Sequence, residues 1–148
     1  MDQVDRDILN LIQSGFPITA RPYQVLGEEL GIPEQEVIDR VKRMKDCRII
    51  RRIGANFQSS KMGFTSTLCA AKVPEEAMDQ FVTVVNAYPG VTHNYRRDHQ
   101  YNVWFTFIAE SMDLIDQYLE EIRQKTGVTQ ICNLPAKKLF KIKVDFPV

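Results

Sequence analysis

Cysteine is scarce in this chain and histidine scarcer: three and two residues respectively among 148. Cys47, Cys69 and Cys132 lie far apart and form no CxxC pair. That argues against a disulfide framework and a zinc site, and each reads as a small apolar core residue. Net charge is also missing, because 19 Lys and Arg balance 19 Asp and Glu. Phosphate contacts supply most of the affinity of a dedicated DNA-binding domain, so the lack of a basic excess counts against DNA binding. No apolar run approaches the roughly 18 residues that span a bilayer. The opening Met1-Asp2-Gln3-Val4-Asp5-Arg6-Asp7 has neither the basic start nor the apolar core of a signal peptide. The expectation is a cytoplasmic protein with no membrane association. There is no internal repeat and no low-complexity tract. The apolar fraction of 44% suits folded material, in one ordinary domain or two small ones.

What is present falls into two parts. Val4, Ile8, Leu11 and Ile12 recur at helical spacing, and Ser14-Gly15-Phe16-Pro17 breaks that helix. Pro22 opens a second, short helix carrying Val25, Leu26 and Leu30, which stops at Gly31. Pro33 opens a third, with Val37, Val41 and Met44 on one stripe. The pair joined at Gly31-Ile32-Pro33 looks like a helix-turn-helix. Ile49, Ile50, Ile53 and the turn point Gly54 suggest the short hairpin of a winged helix. Beyond the polar stretch 58–63, strand and helix alternate. Phe64 to Val73 is strand-like. Pro74-Glu75-Glu76 starts a helix with Ala77, Phe81 and Val84 on its apolar face. Val91 to Arg97 and Tyr101 to Ala109 are strands joined by a polar turn. Ser111 caps a helix with Met112, Ile115, Leu119 and Ile122 on its stripe, ended by Thr126-Gly127. Val128 to Leu134 is extended. Alternation of Phe140, Ile142, Val144 and Phe146 with charged residues marks a half-buried last strand. The expected class is α+β: a winged helix-turn-helix over residues 1–60, then a ferredoxin-like βαββαβ domain over 61–148.

The chemistry concentrates in the stretch from His93 to Thr106. It holds both histidines of the chain, beside Tyr95, Arg96, Arg97, Tyr101 and the single Trp104. On the first strand His93, Tyr95 and Arg97 share one face, and Thr92, Asn94 and Arg96 the other. On the second, Asn102, Trp104 and Thr106 lie opposite Tyr101, Val103 and Phe105. Trp104 and Phe105 must therefore point to opposite sides. Asn94 and Asn102 also suit a plainer role, tying backbone at the strand ends. Read from spacing alone, this is a polar ligand site on a hairpin.

A winged helix followed by a ferredoxin-like domain resembles the Lrp/AsnC family of regulators. Val4-Asp5-Arg6-Asp7-Ile8-Leu9 looks like that family's first helix, and Glu36 to Met44 like its recognition helix. Three segments are more similar to the siroheme decarboxylases within that superfamily: Gly15-Phe16-Pro17 with Arg21-Pro22-Tyr23, Ile49 to Phe57, and above all His93 to Thr106. The His-Asn-Tyr and Trp-Phe-Thr runs resemble the alpha-type subunit of that group.

The resemblance implies a carboxy-lyase acting on siroheme, an iron tetrapyrrole with acetate and propionate arms. Two acetate arms would lose CO2 and become methyl groups. No cofactor is required, since the macrocycle serves as electron sink, and no metal beyond the siroheme iron, for which His93 and His99 are candidate ligands. Catalytic candidates are His93, Tyr95 and His99. Candidates for substrate binding are Arg51, Arg52, Arg96, Arg97, Tyr101 and Trp104. Lys61, Lys137 and Lys138 would add positive charge, and Phe105 apolar cover. The implied partner is a homologous beta-type subunit, or a second copy of the chain. Two alternatives stand beside this reading. One is a DNA-binding regulator, against which Glu34 and Glu36 place carboxylates at the start of the recognition helix. The other is a haem-binding module without turnover.

Overall fold

A computed structural model describes residues 1–55, 57–141 and 145–148. The chain divides into two compact units, residues 1–55 with 141–148, and residues 56–140.

The first unit is built on three helices, α1 (Gln3–Ser14), α2 (Pro22–Leu30) and α3 (Glu34–Asp46). The Asp2 side chain accepts from the Asp5 backbone N–H, and the Asp5 side chain accepts from that of Asp2. This reciprocal cap satisfies two donors that a helix start leaves open. Gly31 ends α2 in the left-handed region at φ 67°. Ile8, Leu26, Val37, Val41 and Met44 form the core between the three helices.

The expected wing hairpin is not formed: no strand occurs among the described residues 47–55. Ile50 and Ile53 serve packing instead, while Ile49 stays exposed. Arg48 turns the chain at φ 58°, the Ile49 and Ile50 amides both donate to the Met44 carbonyl, and Ile50 is buried against the helical core. A last strand over 139–146 is also absent from the described part of that segment. Ile142, Lys143 and Val144 lie outside the described residues. The closing residues belong to the first unit, where Asn10 exchanges two hydrogen bonds with the Val148 backbone.

The second unit is a four-stranded antiparallel sheet with two helices on one face. Its strands are β1 (Thr65–Ala71), β2 (Val91–Arg96), β3 (Val103–Ala109) and β4 (Ile131–Leu134), in the order β2-β3-β1-β4. The helices are α4 (Met78–Asn86) and α5 (Met112–Thr126). Pro74 precedes a 3-10 turn, Glu75–Ala77, so α4 starts later than Pro74 alone suggested. Ser111 caps α5 by accepting from the Leu114 amide, and Gly127 ends it at φ 72°.

Cys69, Ala71, Val103, Phe105 and Phe107 point from the sheet into the core, against Phe81, Val85, Ile115, Leu119 and Ile122. The three phenylalanines are fully buried, each stabilising the unit by roughly 1.5–3 kcal/mol. Burial pushes the Cys69 thiol up to about 12. Cys47, by contrast, is exposed and is not the core residue expected of it. The opposite face of the sheet carries Leu68, Trp104, Thr106, Cys132 and Leu134 in register. Leu68 and Leu134 remain 43% and 45% exposed there.

Candidate active site

The open face acquires its reactive side chains from a one-residue irregularity in β2. Val91 pairs with Phe107 and points to the core, but His93 pairs with Thr106, so the register shifts between them. Strict alternation would put Val91, His93 and Tyr95 on one side together. The extra residue, Thr92, acts as a β-bulge and sends His93 and Tyr95 to the open face instead. Their rings lie nearly parallel, centroids 6.1 Å apart. Tyr95 stands opposite Trp104 across the ladder. Arg97, just beyond the strand, holds its guanidinium 5.6 Å from the Trp104 ring centroid, within range for a cation–π contact.

The turn from Arg97 to Asn102 is tied at several points. The Asn102 side-chain amide donates to the Val73 carbonyl and accepts from the Val73 N–H, at 2.8 and 2.9 Å. This pair of hydrogen bonds to one backbone residue is the plainer of its two expected roles. The Trp104 indole N–H donates to the Tyr101 carbonyl at 2.7 Å. The Tyr101 amide in turn donates to Nδ1 of His99 at 3.1 Å. The Cys132 side chain beside it raises the Tyr101 hydroxyl above the ordinary phenol range. His99 and Tyr101 also stack, centroids 6.3 Å apart. His99 opens on a cleft of about 580 Å³ that Lys72, Gln100 and Gln130 help to line.

The expected site residues are thus partly brought together. His93, Tyr95, Arg97 and Trp104 share the open face, with His99 and Tyr101 on the adjoining turn. Arg96 is turned to the other side of β2, opposite the core residue Val103, and pairs with Glu75 at 2.7 Å. Phe105 is fully buried and covers no ligand. Arg51 and Arg52 belong to the first unit, where they line a cavity of about 380 Å³ with Leu9, Phe16 and Phe146. Lys138 lies 5.2 Å from the Phe140 ring centroid. Thr92 and Cys132 complete the arrangement without having been singled out for it. A threonine beside a histidine is too common to mark a bulge, and nothing local joins Cys132 to Tyr101. Among the described residues no cluster of His, Cys, Asp and Glu gathers as a metal site.

Residues 61–141 match the AsnC-like ligand binding domain, and residues 5–51 match the siroheme decarboxylase NirDL-like HTH domain. Over 146 residues, 99% of the chain, the sequence is 61% identical to the siroheme decarboxylase alpha subunit of Desulfovibrio desulfuricans, of which it covers 84%. The chain belongs to the siroheme decarboxylase family. A more distant member, the siroheme decarboxylase NirD subunit of Pseudomonas aeruginosa, is 36% identical across the whole chain and 97% of its own length.

The crystal structure of the siroheme decarboxylase NirDL superposes with a TM-score of 0.72 at 29% identity. The match covers 99% of this chain and 48% of that one, so the chain spans about half its length. A second NirDL structure, in complex with an iron-uroporphyrin III analogue, matches at TM-score 0.69 over 89% of this chain and 44% of that one. The regulator AsnC of E. coli shares the fold at TM-score 0.82 and 18% identity, over 98% of this chain and 97% of that one. The fold is therefore common to regulators and decarboxylases, and does not by itself separate them.

Proposed function

We propose that this chain is the alpha-type subunit of a siroheme decarboxylase. The observation that carries the reading is its likeness to the Desulfovibrio desulfuricans alpha subunit, 61% identical over 99% of the chain. The open sheet face suits the chemistry. Each acetate arm breaks its bond to the carboxylate carbon, CO2 leaves, and the electron pair stays on the methylene carbon, delocalised into the macrocycle. One proton per arm then makes the methyl group. The protein must hold a flat polyanion and deliver that proton.

Arg97, braced on Trp104, presents a planar cation to a carboxylate. Tyr95 and Trp104 offer ring faces to the macrocycle, and His93 beside them is the proton source or the iron ligand. The half-exposed Leu68 and Leu134 suit the same face to docking a homologous beta-type subunit or a second copy, which would close the site over the substrate.

The helix-turn-helix is poorly equipped as a DNA reader. Arg40 on α3 binds Asp2, Asp5 and Glu36 at 2.7–2.9 Å, and Arg43 binds Asp5 at 2.7 Å. Glu34 pairs with Arg21. Two of the α3 cations that would meet phosphate, Arg40 and Arg43, are thus engaged within the unit.

Siroheme incubated anaerobically with the chain and its partner subunit tests the proposal by mass spectrometry. Two losses of CO2 support it, and an unchanged mass sinks it.

A further inference from the structure

Both histidines are held through Nδ1, but by partners of different kinds. His99 accepts there from the Tyr101 backbone N–H, a group that can only donate. Neutral His99 therefore keeps its lone pair on Nδ1 and its hydrogen on Nε2. The Tyr101 peptide is itself anchored, because its carbonyl takes the Trp104 indole N–H. The donor cannot swing away without straining this bond. The Nδ1 of His93, at 3.1 Å, faces the Thr92 hydroxyl, which donates or accepts as required.

Iron ligation and proton transfer make opposite demands on such a ring. A ligating imidazole offers a bare nitrogen to the metal and carries its hydrogen on the other, donated to an acceptor. A proton-donating imidazolium carries hydrogen on both. Either state at His99 that freed Nε2, or charged the ring, would set an Nδ1–H against the Tyr101 N–H. At His93 either state is accommodated, since Thr92 Oγ1 accepts from Nδ1–H.

Resting on the siroheme reading above, we infer that His99 is neither the iron ligand nor the proton donor, but a neutral hydrogen-bond donor whose Nε2–H takes a side-arm carboxylate of the substrate. Its surroundings fit an anion. Lys72 lines the same cleft and Arg97 the adjoining one. The one opposing charge among those lining residues is Asp98, which neighbours His99 in the turn. Of the two histidines, only His93 is then left for iron ligation or for proton delivery.

The test compares His99→Ala with His99→Gln in the assembled enzyme, with anaerobic siroheme as ligand. Glutamine supplies an N–H donor but cannot protonate carbon or replace an imidazole on iron. The expected result is a rise in KM of about tenfold or more for His99→Ala, from one lost bond to a charged acceptor, with recovery in His99→Gln. The bound siroheme spectrum should be unchanged in both. A His99→Gln enzyme that binds siroheme normally but does not turn over overturns the inference, as does loss of an imidazole-ligand signature in either variant. Long-range proton–nitrogen NMR of the free full chain reads the tautomer without substrate. A hydrogen on Nδ1 of His99 overturns the inference whatever the chain does with siroheme, whereas failure of the wild type to decarboxylate sinks only the reading beneath it.

Discussion

His93 and Tyr95 lie side by side on the open sheet face, rings inclined by 29°, although Val91, two residues before His93, points to the core. Thr92 reconciles the two. With it removed, Val91 would face inward and His93 outward in unbroken alternation. Deleting Thr92 should therefore leave the fold intact and His93 on the same face, with a melting temperature close to wild type. The deletion does take away the hydroxyl that meets Nδ1, so siroheme binding should weaken while the fold persists. A collapse of the sheet would show that the bulge is needed for the register itself.

Arg97 is expected to act through the shape of its guanidinium as well as its charge. Arg97→Lys keeps the charge but loses the planar fork and much of the contact with Trp104. Its KM for siroheme should rise by about tenfold, and that of Arg97→Ala further. Equal KM values for Lys and wild type would reduce Arg97 to a point charge.

Asn102 both donates to and accepts from Val73. Asn102→Ala should cost about 1–3 kcal/mol in urea unfolding, since it leaves two backbone groups without their partner. Asn102→Asp should be worse at neutral pH. Its carboxylate can still accept from the Val73 N–H but meets the Val73 carbonyl with a second acceptor.

Asp5 is 2% exposed yet ionised. Burial works against its charge, but the Arg40 hydrogen bond, the Asp2 amide and the Arg43 charge together pull it below the ordinary carboxylate range. Asp2 is lowered too, chiefly by its hydrogen bond from Arg40. Carboxylates held low in the folded state stabilise fully above the range in which the unfolded chain titrates. That contribution is lost as pH falls through that range and on toward the folded values. Unfolding free energy of the full chain should therefore drop on acidification. Asp5→Asn should be less stable at neutral pH, by roughly 3 kcal/mol, and should lose less on acidification.

Gly90 admits no side chain. A Cβ there would lie 2.2 Å from the Ile108 carbonyl oxygen and 3.0 Å from the Phe107 ring. Gly90→Ala should cost roughly 1–3 kcal/mol through displacement of β2 against β3, seen as a lower denaturation midpoint.

Much of the hairpin was legible from alternation, because a strand separates neighbours without regard to the rest of the fold. It set Trp104 against Phe105 and Arg97 against Arg96, and it paired His93 with Tyr95. What it missed depends on extra residues or on distant partners. The bulge at Thr92 leaves no mark in composition. The bond from Tyr101 to His99 belongs to one turn conformation, and the meeting of Tyr101 with Cys132 needs β4 brought beside β1. The three helices of the first unit follow from apolar spacing. The wing did not, since Ile49, Ile50 and Ile53 suit a strand pair and a packed coil equally, and nearby burial decided between them.

The bulge has one more consequence. In the order β2-β3-β1-β4, the strand that bears His93 and Tyr95 is a sheet edge, with one row of backbone donors and acceptors facing outward. Such a row invites a stray strand to add on. The kink at Thr92 spoils its spacing, so the strand that carries the chemistry is also protected against aggregation along its edge.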